Sequence, residues 1–192
     1  DSKSLHPCGR TSTIESQPGE IVMVQRKYTR GIANFDEVVD FVFNVTGIRP
    51  RVVSDFEGSL FNQASQVLNS RIFISPHGAG LTNIIFMPVG SAVLEILPLG
   101  YDVSYYFKRL TISSGLRHHQ YRNQNKDDTV MTDSCVTLFN SFNKSIQACG
   151  EDGGCFHCMK SAQTRIDLQL FRPLLEAAVS QTAYLHSPPC AV

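Results

Sequence analysis

The sequence predicts an α/β protein: a Rossmann-like parallel sheet with helices on both faces, followed by a Cys-containing, partly helical carboxy-terminal appendage. Three observations predict it. Short β-branched runs alternate with amphipathic stretches, and parallel neighbours need such crossovers, which stack helices onto the sheet. The 192 residues, 42% of them hydrophobic, suffice for one domain with a real core, or one domain with an appendage. The six cysteines, Cys8, Cys135, Cys149, Cys155, Cys158 and Cys190, leave the apolar middle of the chain without one. The expected divisions are an irregular lead over 1–19, a Rossmann-like lobe over 20–125, and a loop with a disulfide-bearing appendage over 126–192.

The elements follow in order. Residues 20–25, EIVMVQ, read as a short buried strand. NFDEVVDFVFNVTG reads as a helix, with Asn34 as N-cap, Glu37 three residues on, Gly47 as C-cap, and Phe35, Val38, Val39, Val42 and Val45 as the apolar face. RPRVVS is the second strand, SLFNQASQVLNS a helix capped by Ser59, RIFIS the third strand, LTNIIFM a helix and SAVLEIL the fourth strand. Asp102 is placed to cap a helix, DVSYYFKRLTISSG, ahead of a strand-like LRHHQY. RNQNKDDT is polar and turn-forming and predicts a mobile loop. Beyond it lie SCVTLFNSFNKSIQAC, the Gly-rich CGEDGGCFHC, and a helix from near Lys160 that Pro173 interrupts or restarts. SPPCAV is irregular, with Cys190 available to fasten it.

Composition excludes some functions. Lys plus Arg total 17 and Asp plus Glu total 17, so no global field favours nucleic acid or an anionic membrane, and phosphate affinity must be local. No apolar run reaches the roughly 18 residues a membrane span needs, and DSKSLHPCGR lacks the apolar core of a signal peptide. The chain begins with Asp, which suggests a processed product or a piece of something longer; a targeting segment or membrane anchor would then lie upstream. An even cysteine count flanking a core suits disulfides on peripheral segments and points to the secretory pathway. The tripeptides Asn44-Val45-Thr46 and Asn143-Lys144-Ser145 are compatible with that route, Asn44 only if exposed.

The chemistry concentrates where a strand runs into Pro76-His77-Gly78-Ala79-Gly80 and then a helix. Glycines there let a ligand approach the backbone, and the following helix amides and dipole favour phosphate at the carboxyl end of a parallel strand. The spacing is neither the dinucleotide fingerprint nor the P-loop pattern. Arg26-Lys27-Tyr28-Thr29-Arg30 follows the first strand and therefore lies at the same edge. Arg26 and Arg30 can each fork two phosphate oxygens; otherwise they form a solvated basic loop. Glu95, among Leu94, Ile96 and Leu97, is either at a strand end, where it can accept from two ribose hydroxyls, or expensively buried against a cation. Thr82 and Asn83, in the first turn of the helix, add hydrogen bonds or cap it. His77 is either a histidine that bonds the turn or a functional group.

The run Arg26-Lys27-Tyr28-Thr29-Arg30 through Asn34 and Glu37, then Phe61 and Gln63, then His77-Gly78-Ala79-Gly80-Leu81-Thr82-Asn83, Phe86, Pro88, Gly90 and Glu95 resembles family 61 of the glycosyltransferases over roughly residues 20 to 121. The resemblance implies the donor-binding, carboxy-terminal lobe of a GT-B enzyme of the Golgi or endoplasmic reticulum lumen. Such an enzyme transfers a sugar from a UDP-sugar, such as UDP-xylose, UDP-arabinose or UDP-N-acetylglucosamine, to a glycan or glycoprotein acceptor with inversion. It further implies that Arg26 and Arg30 hold the diphosphate, that His77, Gly78, Ala79, Gly80, Thr82 and Asn83 bind phosphates and sugar, and that Glu95 meets the ribose. Gln63 matches the family's glutamine, with a structural role.

Only about 20 residues precede the first strand, too few for an acceptor lobe, so the sequence predicts a chain that can bind donor without transferring it. His77 is the candidate general base by the ordinary pKa of its imidazole. No Asp-x-Asp occurs, Asp127 and Asp128 stand in the polar loop, and no metal or other cofactor is expected. Cys149, Cys155 and Cys158 also have zinc-like spacing, but a lumenal chain favours disulfides, whose pairing the sequence does not reveal. A hydrolase using the His77-Gly78 turn as an oxyanion hole would need a Gly-x-Ser-x-Gly elbow, and none appears. A nucleotide-sugar-binding module without catalysis is the remaining alternative.

Overall fold

The computed structural model describes residues 19–54, 56–101 and 105–182. Cys8, Asp102 and Cys190, and the cap and tether expected of the last two, lie outside those residues. Five parallel strands form the main sheet in the order β2-β1-β3-β4-β5: β1 (Glu20–Val24), β2 (Arg51–Val53), β3 (Ser70–Pro76), β4 (Ala92–Leu97) and β5 (Arg117–Arg122). Helix α1 (Phe35–Thr46) links β1 to β2 and α2 (Leu60–Ser65) links β2 to β3. A 3-10 helix (Ala79–Phe86) joins β3 to β4, and α3 (Tyr105–Ser113) lies between β4 and β5. The expected α/β class, parallel sheet and two-sided helical cover are all present.

Alternation along each strand builds the two layers. Ile21, Met23, Ile72, Ile74, Leu94 and Ile96 point to one face, where α1 buries Val38, Val39 and Val42. Val22, Val24, Phe73 and Val93 point to the other, against Leu81 and Ile84 of the 3-10 helix and Phe107 and Leu110 of α3. The change of face follows from topology. Chain order runs outward from β1 to β2, then crosses back to β3 on the opposite side of β1, so right-handed connections put α1 and α2 on opposite faces.

The carboxy-terminal part is helical and disulfide-bearing as expected, and its last helix joins the main core. α7 (Leu168–Thr182) buries Phe171, Leu175 and Ala178 in the same core as α1 and so completes the first layer. It begins at Leu168 rather than near Lys160, and it runs through Pro173 instead of breaking there. A proline inside a helix costs about 3 kcal/mol, while burying Phe171 and Leu175 returns about 2 kcal/mol or more each. Between the sheet and α7, the helices α4 (Asp133–Ser141), α5 (Ile146–Glu151) and α6 (Gly153–Ser161) make a small third core with Leu99, Phe139, Cys149, Cys155 and Met159. Disulfides Cys135–Cys158 and Cys149–Cys155 tie α4 and α5 to α6. These cysteines are therefore spent on cross-links, not on the zinc-like alternative. The Gly-rich stretch is helical because the Asp152 side chain caps α6, accepting from the Cys155 amide at 2.7 Å.

Three local expectations are corrected. Residues 122–129 are not a plain loop: Asn123 is buried and donates to Thr129 Oγ1 (2.9 Å), and Asn125 caps a short 3-10 turn, Lys126–Asp128. The polar side chains there satisfy the local backbone and fix its shape. This turn leads into β6 (Thr129–Val130), which pairs antiparallel with β7 (Gln163–Thr164). Asn34 does not cap α1 through its side chain; its amide instead brackets Ile166, accepting from that residue's N–H at 2.8 Å and donating to its carbonyl at 3.1 Å. The helix after the glycine turn is 3-10 rather than α. Gly47 at φ 70° and Ser59, which accepts from the Asn62 amide, end α1 and start α2 as expected.

Candidate functional site

The order β2-β1-β3-β4-β5 reverses direction between β1 and β3, and ligands of open α/β sheets bind outside the strand carboxyl ends at such a reversal. The two loops that leave β1 and β3 there are those that carry Arg26, Arg30 and His77 to Gly80.

The loop after β1 is closed at its neck. Gln25 donates to the Ile32 carbonyl and accepts from the Ile32 amide, both at 3.1 Å, so residues 26–31 form a tight bulge. A Cβ on Gly31 would sit 2.8 Å from the Arg26 carbonyl, so only glycine fits the base of that bulge. Arg30 takes φ 57°, and its amide donates to the Ser161 carbonyl at the end of α6 (3.0 Å), which anchors the loop to the disulfide-bonded helices. Gln25 was not singled out from sequence. A glutamine at a strand end gives no signal until its neighbour seven residues on is known to return.

The guanidinium groups meet the glycine turn. Arg26 Nη1 donates to the His77 carbonyl (3.1 Å), and a Cβ built on Gly78 would overlap that same Nη1 and lie 3.8 Å from Arg30 Cζ. Both arginines are thus packed over one glycine. Neither has a carboxylate partner among the described residues. Burial lowers the Arg30 pKa, the Arg26 cation lowers it further, and Tyr101 opposes both. Two cations held together without an anion make a local field that a phosphate would relieve. Beside them, Val24, Arg26, Phe56, Ser75, Pro76 and the Gly78–Gly80 turn line a cavity of about 190 Å³. A Cβ on Gly80 would crowd the Phe56 ring at 3.0 Å and push it by a few tenths of an ångström.

Other predicted side chains face elsewhere. Thr82 is exposed, and its hydroxyl donates back to the Ala79 carbonyl (2.7 Å); Asn83 is buried and donates to the Gly80 carbonyl (3.2 Å). Each hydrogen-bonds its own 3-10 turn. Gln63, in α2, donates to the carbonyl of Gly58 just ahead of that helix (3.2 Å).

His77 continues the ladder beyond β3, its amide donating to the Ile96 carbonyl at 2.8 Å. Its ring sits edge-on to Tyr101 and Phe107, with centroids 4.8 and 5.1 Å away. Nδ1 lies 2.5 Å from Glu95 Oε1, while His118 Nε2 lies 2.8 Å from Glu95 Oε2. Glu95 is opposite Ser75 and Gln120 in the sheet, has no exposed surface, and also receives a long contact from Gln120 Nε2 at 3.4 Å. Burial pushes its carboxyl pKa up, but hydrogen bonds from His118 and His77 outweigh burial, so the net direction is down and the group is ionised. No surface remains on it for the ribose hydroxyls expected from the sequence. His118 was missed because LRHHQY places two histidines on a strand, and only the register with β4 decides which shares the Glu95 face.

Residues 5–94 match the family model described as Glycosyltransferase 61. That stretch of the chain is similar to the family 61 glycosyltransferases. The matched stretch carries Arg26, Arg30 and the whole 77–83 turn, and stops one residue before Glu95. Among similar proteins, the xylan glycosyltransferase MUCI21 of Arabidopsis thaliana is 25% identical over 182 residues, covering 85% of this chain and 34% of that protein. A beta-1,2-xylosyltransferase, XAX1, of Oryza sativa subsp. japonica is 32% identical over 98 residues, 47% of this chain and 16% of that protein. The EGF domain-specific O-linked N-acetylglucosamine transferase of Bos taurus is 33% identical over 131 residues, 64% of this chain and 24% of that protein. The chain therefore spans about a third or less of the length of these relatives.

Proposed function

We propose that this chain is the donor-binding lobe of a GT-B glycosyltransferase that moves a sugar from a UDP-sugar to a glycan or protein acceptor with inversion. The observation that carries the proposal is the convergence of Arg26 and Arg30 on Gly78 at the β1/β3 reversal, with no carboxylate among the described residues to neutralise them. The diphosphate of the donor would occupy the cavity beside them, its charge met by two guanidinium groups and by the amides that open the 3-10 helix. Charge on the leaving UDP grows as the glycosidic bond breaks, and donors fixed in advance stabilise that charge without reorganisation. His77, bordering the turn, is the group suited to handle a proton near the reacting sugar.

Supporting the transferase class are the family 61 match and the relatives' names, which span xylosyl and N-acetylglucosaminyl transfer. UDP-xylose, UDP-arabinose and UDP-N-acetylglucosamine are the donors to try first. The two disulfides fit an oxidising lumen of the Golgi or endoplasmic reticulum, and Asn44 and Asn143 are both exposed sequon asparagines. Among the described residues no helix is long and apolar enough to cross a membrane.

Calorimetric titration of the chain with UDP tests the proposal. Binding by the parent and its loss in Arg30→Ala are expected; equal heats for both would refute it. Assay of the complete gene product against the three donors then separates a transferase from a nucleotide-sugar-binding module, which would bind UDP and transfer nothing.

A further inference from the structure

We propose that Glu95 and His118 are positioning residues that hold His77 in one tautomer, with the proton on Nδ1 and Nε2 kept as an open acceptor for a hydroxyl of the bound nucleotide sugar. The choice of ligand rests on the proposed donor-binding function, but the tautomer does not.

The geometry leaves little freedom. An ionised carboxylate only accepts hydrogen bonds, so a ring nitrogen 2.5 Å from one oxygen and another 2.8 Å from the second must both be donors. Nδ1 of a neutral His77 then holds the single ring proton, and Nε2 has a lone pair. Buried polar atoms without a partner among the described residues are Ser70 Oγ, Ser91 Oγ and His119 Nε2. His77 Nε2 is not one of them, yet it has no hydrogen bond to any described residue either, so it reaches solvent although the side chain as a whole is only 6% exposed. The buried imidazole thus keeps one atom open to solvent, on the residue that directly precedes the arginine-covered glycine in the chain.

His118 acts one step further back. Its Nε2 fixes the second oxygen of Glu95, and without that bond only the long 3.4 Å contact from Gln120 Nε2 holds that oxygen, so the carboxylate can turn about its last torsion and weaken its hold on Nδ1. His118 is anchored on β5 at the position paired with Val93, two residues from Gln120, and its side chain is 6% exposed. A cluster serving only to fill the sheet face would need neither the open nitrogen on His77 nor a fully ionised acid between two rings.

The test is long-range nitrogen–proton correlation spectroscopy of the imidazoles at neutral pH, with the His77 signals assigned by their loss in His77→Gln, together with UDP titration. In the parent, His77 is expected as the Nδ1–H tautomer. His118→Leu should mix the tautomers and weaken UDP binding about tenfold, whereas His118→Gln, whose side-chain amide can still donate to Glu95, should restore both to near the parent. An Nε2–H tautomer in the parent overturns the inference without any variant, so a His118→Leu chain that fails to fold does not protect it. An unchanged tautomer in a folded His118→Leu protein, whether or not UDP binding falls, also overturns it. If the parent shows the Nδ1–H tautomer, His118→Leu mixes it and the parent binds no UDP, the positioning stands and the donor-binding function fails instead.

Discussion

The carboxyl edge of the sheet has two halves of opposite electrostatic character. At the β1/β3 end, Arg26 and Arg30 sit over Gly78 with their charges unmet among the described residues, and a cavity opens beside them. At the β4/β5 end, Glu95 is sealed from solvent with each oxygen bonded to an imidazole. The first half leaves its cations unpaired, and in the proposed function it takes the diphosphate of the donor; the second is internally paired and, in the proposed positioning role, supports the first through His77. The contrast teaches that burial decides which charges must be paired within the fold and which can stay unpaired at its rim. A carboxylate inside a sheet must be paired to persist, while cations at a rim can wait because water still reaches them.

The largest test of that contrast is to remove both arginines. Arg26→Ala with Arg30→Ala should lower UDP affinity on the order of a thousandfold, two charge-assisted contacts at about 2 kcal/mol each. Thermal unfolding should meanwhile change little, because burial and mutual repulsion already oppose the Arg30 charge. A collapse of the folded state in that variant would mean the rim cations are structural after all. Glu95→Gln is the mirror experiment. It should cost about 3 kcal/mol of stability, since two buried imidazoles lose their ionic partner, and chemical denaturation measures it. Next in size, Gly78→Ala should cost about tenfold in UDP affinity because the new Cβ overlaps the Arg26 guanidinium. Gly150→Ala, whose Cβ meets nothing within 4 Å, is the control expected to leave affinity unchanged.

The smallest effect is in the pH dependence. The folded Glu95 pKa lies below its ordinary value, so its contribution is fully present above the unfolded carboxylate pKa, near 4.3. It is lost as pH falls below that through the depressed folded value. The parent should therefore lose stability on acidification below about pH 4.3 more steeply than Glu95→Gln, which carries no titrating group there. Parallel slopes in denaturation midpoints against pH would place the acid sensitivity elsewhere.

Much of the fold was legible because it rests on local periodicity. The β-branched runs of β1, β3 and β4 and the apolar face of α1 identify themselves, and their alternation forces a parallel sheet. Gly47 and Ser59 work as caps because capping depends on a few consecutive residues. Asn34 did not, since its amide is claimed by Ile166, 132 residues away. α7 was misplaced for a similar reason: Pro173 carries a local penalty, and only the sheet face that receives Phe171 and Leu175 outweighs it. In the site, Arg26, Arg30 and Gly78 could be brought together from chain order alone, because loops following parallel strands share an edge.

What the sequence by itself determined is the class of fold, the edge at which Arg26, Arg30 and the glycine turn gather, and the resemblance to family 61 carried by residues 26 to 83. Tertiary structure alone decided that the sheet reverses between β1 and β3, which cysteines join, and that Glu95 faces two imidazoles rather than solvent. The division has a physical cause. Strand and cap preferences are set by neighbours in the chain, whereas the partner of a buried charge is set by strand register, and register is fixed only when whole faces pack together.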